Sequence, residues 1–207
     1  MIKVLITGFK PFGGETINPS YEAIKALDRR ILDCELYTLE LPVVFYESSR
    51  IIVEKIHEIM PDIVIMVGQA GGRKEISIER VAINLDDTII PDQNGVVPYD
   101  DPISLFGPQA YFSTLPSKLI VEALHEKHIP SSLSYSAGTY LCNHVFYSVM
   151  HDLEHSQFKH MKAGFIHVPY ETSQTLYKPH KFSLDPKVIK EALEVIINVS
   201  CQSFHTI

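Results

Sequence analysis

Ser134 to Met150 reads S-Y-S-A-G-T-Y-L-C-N-H-V-F-Y-S-V-M. The first residues end a short strand and Gly138 supplies a turn. From Val145 the apolar side chains recur at helical spacing through Phe146, Val149, Met150 and Leu153. Strand, glycine turn and helix in that order form the repeating unit of α/β architecture. The same stretch sets Cys142 where the helix begins. There the backbone N–H groups lack intrahelical partners and the helix dipole is positive, and both favour the thiolate, the nucleophilic form.

Outward from this stretch the alternation continues. Residues 3–7 read as a buried strand, followed by the loop G-F-K-P-F-G-G-E-T-I-N. Asn18 then caps a helix that opens on Pro19, where the missing N–H is harmless. Residues 34–41 form a second strand, and Val44, Ser48, Ile51, Ile52, Lys55, Ile56 and Ile59 mark a long amphipathic helix. Residues 63–67 are a wholly apolar strand entering G-Q-A-G-G-R, and residues 75–84 are extended, with the alternation broken at Arg80 to Ala82. Residues 85–115 make a long loop rich in Pro, Asp and Gly, with Asn94-Gly95 tipping a small hairpin. A loop of that length inside a compact domain is functional or interfacial. A helix over 116–128, a strand over 132–135, the helix of Cys142 over 142–155, a central strand over 163–168 and a closing helix over 186–203 complete the pattern. The expectation is one α/β domain over residues 1–207 with a largely buried, largely parallel sheet.

A chain of 207 residues, 45% of them hydrophobic, can bury one sizeable core. Its net charge of −7 argues against nucleic acid or an anionic membrane as partner. No apolar run is long enough to span a bilayer, and the first residues are too short and lack a small-residue cleavage site for a leader. Three cysteines, Cys34, Cys142 and Cys201, are too few and too odd in number for a disulfide framework. Together these point to a soluble cytoplasmic protein with reduced thiols.

A nucleophilic thiol needs a base that takes its proton and later supplies it to the leaving amine. His57, His125, His128, His155, His160 and His180 occupy polar helix faces or hydrophilic connections. His144 and His151 share the helix of Cys142, but no C-x-x-C or H-x-x-x-H pattern completes a tetrahedral set, so no metal is expected. His167 lies near the end of the apolar strand G-F-I-H-V-P-Y, where parallel α/β sheets place their sites. An orienting carboxylate would complete the group. Glu79, Asp62, Asp86, Asp87 and Asp92 qualify by type, and spacing does not choose among them. Glu79 sits inside an apolar strand, where an ionised carboxylate needs a partner, either an imidazole or the guanidinium of Arg73 or Arg80. The loop G-F-K-P-F-G-G lacks the phosphate-binding signatures, and its two phenylalanines suit an apolar ligand pocket.

Four segments resemble one family, the pyroglutamyl peptidases of type I (pyrrolidone-carboxylate peptidases). They are V-L-I-T-G-F-x-P-F-G-G-E-x-x-N-P-S, G-Q-A-G-G-R-x-x-I-x-I-E-R-V-A-I-N, A-G-T-Y-L-C-N-H-V-F-Y and G-F-I-H-V-P-Y, spread from Val4 to Tyr170 in order. The resemblance implies a cysteine exopeptidase that removes an N-terminal 5-oxoproline residue from small peptides through a thioacyl-enzyme. It implies no metal or organic cofactor, an α/β/α sandwich with a mixed, largely parallel sheet, and assembly as a homotetramer. The family's nucleophile falls on Cys142, its histidine on His167 and its acid on Glu79, which chooses among the carboxylates. Two positions depart from the family pattern: Tyr21 replaces the common tryptophan, and Ile89 stands where many relatives carry a polar or basic residue.

The substrate chemistry agrees with the loop composition. A 5-oxoproline ring is flat and uncharged, so Phe9 and Phe12 can sandwich it. Gln69, with nearby backbone groups, is a candidate to pair its lactam N–H and C=O, and Asn18 is a further candidate substrate-binding residue. Open-chain glutamate would carry a charge into the slot, and proline would leave the lactam partners unpaired. Ile89, Ile90, Val96, Val97, Ile103, Leu105 and Phe106 make the long loop too apolar for solvent, which suggests the contact between subunits. Two further readings compete: a nucleoside phosphorylase or nucleosidase on a similar sandwich, needing no thiol, and a catalytically silent binding module.

Overall fold

The computed structural model describes residues 1–31, 34–178 and 180–204. In chain order they form β1 (Ile2–Phe9), α1 (Pro19–Lys25), β2 (Arg30–Ile31), β3 (Cys34–Leu41), α2 (Glu47–Ile59), β4 (Ile63–Gln69), β5 (Ile76–Glu79) and β6 (Val81–Ile83). β7 (Ala110–Phe112), α3 (Ser117–Glu126), β8 (Ser131–Ser134), α4 (Leu141–His155), β9 (Lys162–Val168) and α5 (Pro186–Phe204) follow. Seven strands make one sheet in the order β2-β3-β1-β4-β9-β5-β8. β3, β1, β4 and β9 run parallel, whereas β5 and β8, parallel to each other, run against β9, and β2 runs against β3.

The apolar runs are continuous because both faces of the sheet are covered. Along β4, Ile63, Ile65 and Val67 pack with α1, α3 and α5, while Val64 and Met66 pack with α2 and α4. β1 divides in the same way, Val4 and Ile6 to the first side, Leu5 and Phe9 to the second. The two-residue period of each strand thus builds two cores and an α/β/α sandwich.

Several expectations are sharpened or corrected. Asn18 caps α1 through its side chain, with Pro19 in the first turn. The helix expected from Val44 starts at Glu47, because Tyr46 takes a left-handed backbone (φ 61°). The broken alternation at Arg80 is a real boundary: β5 belongs to the main sheet, and β6 leaves it to pair antiparallel with β7. β7 lies inside the stretch expected to be all loop. Around Asn94-Gly95 the chain does turn back, closed by Asp92 N–H to the Val96 carbonyl (3.0 Å) and by the Asp92 carboxylate accepting from Asn94 and Val96 N–H, without forming strands. Cys34 and Cys201 are not the reduced thiols expected: they form a disulfide between β3 and α5, with Cα atoms 6.9 Å apart.

One buried side chain fixes the long excursion against the helix of Cys142. Asn143 accepts from Ile83 N–H (2.9 Å) and donates to the carbonyls of Ile83 (2.9 Å) and Leu85 (3.0 Å). Asn143→Ala would leave the Ile83 N–H and the Leu85 carbonyl without this partner, and the Ile83 carbonyl with only the Leu85 N–H, at a fully buried position. We expect it to lower stability by at least about 2 kcal/mol in denaturant unfolding. An unchanged midpoint would mean that water or a shifted backbone replaces the amide.

Candidate active site

Strand register brings the first two candidates together. On β9, Phe165 and His167 point to the face covered by α4, as the packing of Phe165 against Phe146 shows. β5 runs against β9 with Ser77 opposite His167 and Glu79 opposite Phe165, so Glu79 lies diagonally across from His167 on the same face. The imidazole Nδ1 lies 2.7 Å from Glu79 Oε1, and both residues are buried. A carboxylate can only accept, so Nδ1 carries the hydrogen and Nε2 keeps its lone pair.

Cys142 comes from the other side of the layer. Gly138, with φ +81°, turns the chain out of β8, and α4 begins at Leu141 above the carboxyl ends of β4 and β9. Gly68, the β4 partner of His167, has no side chain because the thiol occupies that space. A Cβ there would lie 2.8 Å from Cys142 Sγ and 2.8 Å from the Phe165 ring. The sulfur therefore rests on the sheet at the level of the imidazole.

Arg73 completes the cluster. Its Nη1 lies 2.7 Å from the same Oε1 that receives His167, and its Nη2 donates to the Ser136 carbonyl at 2.8 Å. The sequence left Glu79 a choice between an imidazole and a guanidinium; the fold supplies both. Glu79 Oε2 is buried with no hydrogen-bond partner among the described residues.

Electrostatics put the pair in its neutral form. Burial lowers the pKa of His167 from the ordinary imidazole value, against the hydrogen bond and charge of Glu79, and Arg73 lowers it further. Burial pushes the Cys142 thiol up to about 12, with the charge of Glu79 adding to the rise and that of Arg73 opposing it. The ready thiolate expected from the helix N-terminus is thus corrected. Desolvation and the charge of Glu79 outweigh the cation of Arg73 at the partly exposed Cys142, so the resting site holds a thiol beside a neutral imidazole.

All four expected pocket residues line one apolar recess with Cys142: Phe9, Phe12, Asn18 and Gln69. Val43, Tyr140 and Leu141 close it, and nothing in the sequence singled out Val43. The recess adjoins a cleft of about 380 Å³ walled by Ile90, Pro91, Asp92 and Tyr170. Asn18 shapes the recess with its polar atoms already engaged. Its Oδ1 accepts from Ser20 N–H and Oγ, and its Nδ2 donates to the Lys10 carbonyl. It enters the recess as part of its wall. Gln69 Oε1 accepts from Gln174 at 3.0 Å, which leaves its amide N–H as the group for a ligand. His144 turns away to Asp86, 2.6 Å from Nδ1, in a second buried pair. Among the described residues no cluster of three or more His, Cys, Asp or Glu is set to hold a metal.

Comparison with known proteins decides what carries this geometry. The family model described as pyroglutamyl peptidase matches residues 2–203. The chain belongs to the pyroglutamyl peptidase family. It is 48% identical to pyrrolidone-carboxylate peptidase 1 of Caldanaerobacter subterraneus subsp. tengcongensis, over 96% of this chain and 97% of that protein. With the pyrrolidone-carboxylate peptidase of Bacillus mycoides the identity is 46%, over 98% and 94%. The crystal structure of pyroglutamyl peptidase I from Bacillus amyloliquefaciens superposes with a TM-score of 0.95 at 44% identity, covering 99% of this chain and 98% of that one. Pyrrolidone carboxyl peptidase from Thermococcus litoralis does so at 0.93 and 38%, covering 100% and 96%. As a family member the chain is a cysteine-type peptidase, and its α/β/α fold is that of the solved relatives.

The close approach at Gly68 can be tested directly. Gly68→Ala should push the sulfur off the sheet, cutting hydrolysis of a 5-oxoprolyl amide at least ~10-fold while the protein stays folded. Wild-type turnover in this variant would mean that the sulfur reacts from another position.

Proposed function

We propose that the protein removes N-terminal 5-oxoproline residues from small peptides, with Cys142 as nucleophile, His167 as base and Glu79 as the acid that orients it. The observation that carries this reading is the 2.7 Å hydrogen bond from His167 to Glu79 beside a thiol that lines an apolar recess. The recess suits a flat, uncharged ring held between Phe9 and Phe12, with the Gln69 amide N–H available to the lactam carbonyl. On this reading residues 1–207 form a single peptidase domain.

The chemistry follows from the neutral pair. His167 Nε2 takes the Sγ proton as sulfur bonds to the 5-oxoprolyl carbonyl carbon. The backbone N–H of Cys142, in the first turn of α4, lacks an intrahelical partner and can stabilise the oxyanion. The imidazolium returns the proton to the peptide nitrogen as the C–N bond breaks. Water, deprotonated by the same imidazole, then hydrolyses the thioester. Glu79 stabilises the transient imidazolium and fixes its tautomer.

Cys142→Ala should abolish release of a fluorescent amine from its 5-oxoprolyl derivative. His167→Ala should reduce the rate at least ~10²-fold, Glu79→Gln less, and the double variant less than the product of the two. Fully additive losses would separate the two residues. Because His167 titrates below the ordinary imidazole value and must be neutral to act, kcat/KM should hold as pH falls through 6.5 and decline only below it. A decline centred above neutrality would contradict this assignment. Iodoacetamide labelling of Cys142 should likewise slow in His167→Ala, since the thiol has no thiolate reserve of its own.

The same proposal includes a cytoplasmic homotetramer. Ile89 is 95% and Phe106 98% exposed in the single chain, and Ile90, Val96, Val97 and Leu105 are exposed beside them, whereas Ile103 is partly buried in the core. Such a surface favours contact with further copies. No helix is long and apolar enough to cross a membrane. The Cys34–Cys201 disulfide is uncommon in a reducing compartment, so cell fractionation is the direct test of location. Light scattering at micromolar concentration should give four times the chain mass, and Phe106→Asp with Ile89→Asp should reduce it. A monomeric wild type would overturn the assembly.

A further inference from the structure

Among the described residues Arg73 has no hydrogen bond to the sulfur or the imidazole, yet it bonds to the acid beside one and to the turn before the other. Its guanidinium forks: one nitrogen meets Glu79 Oε1, and the other meets the Ser136 carbonyl, 63 residues further along the chain. Ser136 lies in the turn between β8 and α4 that delivers Cys142. The fork therefore ties the acid on β5 to the turn carrying the nucleophile. A single charged side chain spans the two halves of the proposed triad.

The choice of oxygen matters as much as the span. Oε1 already receives His167 Nδ1 at 2.7 Å, and Arg73 approaches that same atom at 2.7 Å, while Oε2 is left without a partner. The guanidinium and the imidazole thus meet on one oxygen rather than one on each. Placed on the shared one, the guanidinium withdraws charge from the acceptor of the imidazole hydrogen bond. Arg73 is also the most exposed member of the group, its side chain 27% accessible against 0% for Glu79 and 4% for His167.

We propose that Arg73 is a positioning residue that keeps His167 a neutral base by sharing Glu79 Oε1, and that holds the β8–α4 turn in register with β5. This rests on the triad reading. The titratable and charged groups that face His167 are Glu79 from β5, Cys142 from α4 and Arg73 from the β4–β5 turn. With the cation gone, the negative field of Glu79 is uncompensated. The Glu79–His167 pair then binds a proton more readily, whichever of the two carries it. The directions at rest agree: Arg73 lowers the pKa of His167 and of Cys142.

The test compares pH profiles of kcat/KM for the wild type, Arg73→Met, Arg73→Lys and Cys142→Ala on a 5-oxoprolyl fluorogenic amide, with folding checked by circular dichroism. Arg73→Met should shift the acidic limb upward by about half a pH unit or more and lower kcat ~10-fold or more with little change in KM. Arg73→Lys keeps the charge but cannot fork, so its limb should stay near the wild-type position while kcat remains reduced. An unshifted limb in Arg73→Met, or a limb in Arg73→Lys displaced as far as in the neutral variant, overturns the proposal. Should Arg73→Met fail to fold, Arg73→Gln supplies the neutral variant for the same comparison. Activity persisting in Cys142→Ala would remove the triad itself; a dead Cys142→Ala beside a wild-type-like Arg73→Met would remove only the role of Arg73.

Discussion

The hydrogen bond between His167 and Glu79 depends on the direction of one strand. β5 runs against β9 in a sheet whose central strands are otherwise parallel, and this register sets Glu79 diagonal to His167. Glu79 is fully buried, where an ionised carboxylate without partners would be very costly. Sharing Oε1 between an imidazole and a guanidinium answers that cost. After Glu79 the chain leaves the main sheet at Arg80, and β6 pairs elsewhere with β7.

The proposed nucleophile and base are held by different kinds of rigidity. His167 is fixed by strand pairing on both sides, to Gly68 on β4 and Ser77 on β5. Cys142 is fixed by a helix that Asn143 stitches to β6 and that His144 anchors through Asp86. Three consecutive residues of α4 thus have separate duties, one chemical and two structural. Packing the sulfur against Gly68 brings it to the imidazole and also desolvates it, which raises its pKa. The site consequently favours proton transfer during attack over a stored thiolate, and the electrostatics of Glu79 and Arg73 set where that transfer becomes possible.

How much was legible follows the range of each interaction. Local signals survived: the Asn18-Pro19 cap, the extent of β3 from Cys34 to Leu41, and the helix that begins beside Cys142 are all written in neighbouring residues. Both-face burial was legible too, because β4 is apolar without alternation. The three site residues and the recess residues Phe9, Phe12 and Gln69 came from motifs around strand ends, where α/β sheets hold their ligands. β7 was missed, since three residues inside a long loop carry no period of their own.

The sequence by itself determined the fold class and the family and singled out Cys142 as the candidate thiol, because periodicity and contiguous motifs are properties of the chain alone. Tertiary structure decided everything that needs two distant segments in one place. It chose Glu79 as the partner of His167 on geometric grounds, brought Arg73 onto the same oxygen, spent the polar atoms of Asn18 on Ser20 and Lys10, and joined Cys34 to Cys201. It also reversed the expected state of Cys142. Backbone position at a helix N-terminus is local and argues for a thiolate, whereas desolvation and the charge of Glu79 come from distant segments packed around the sulfur, and these raise its pKa.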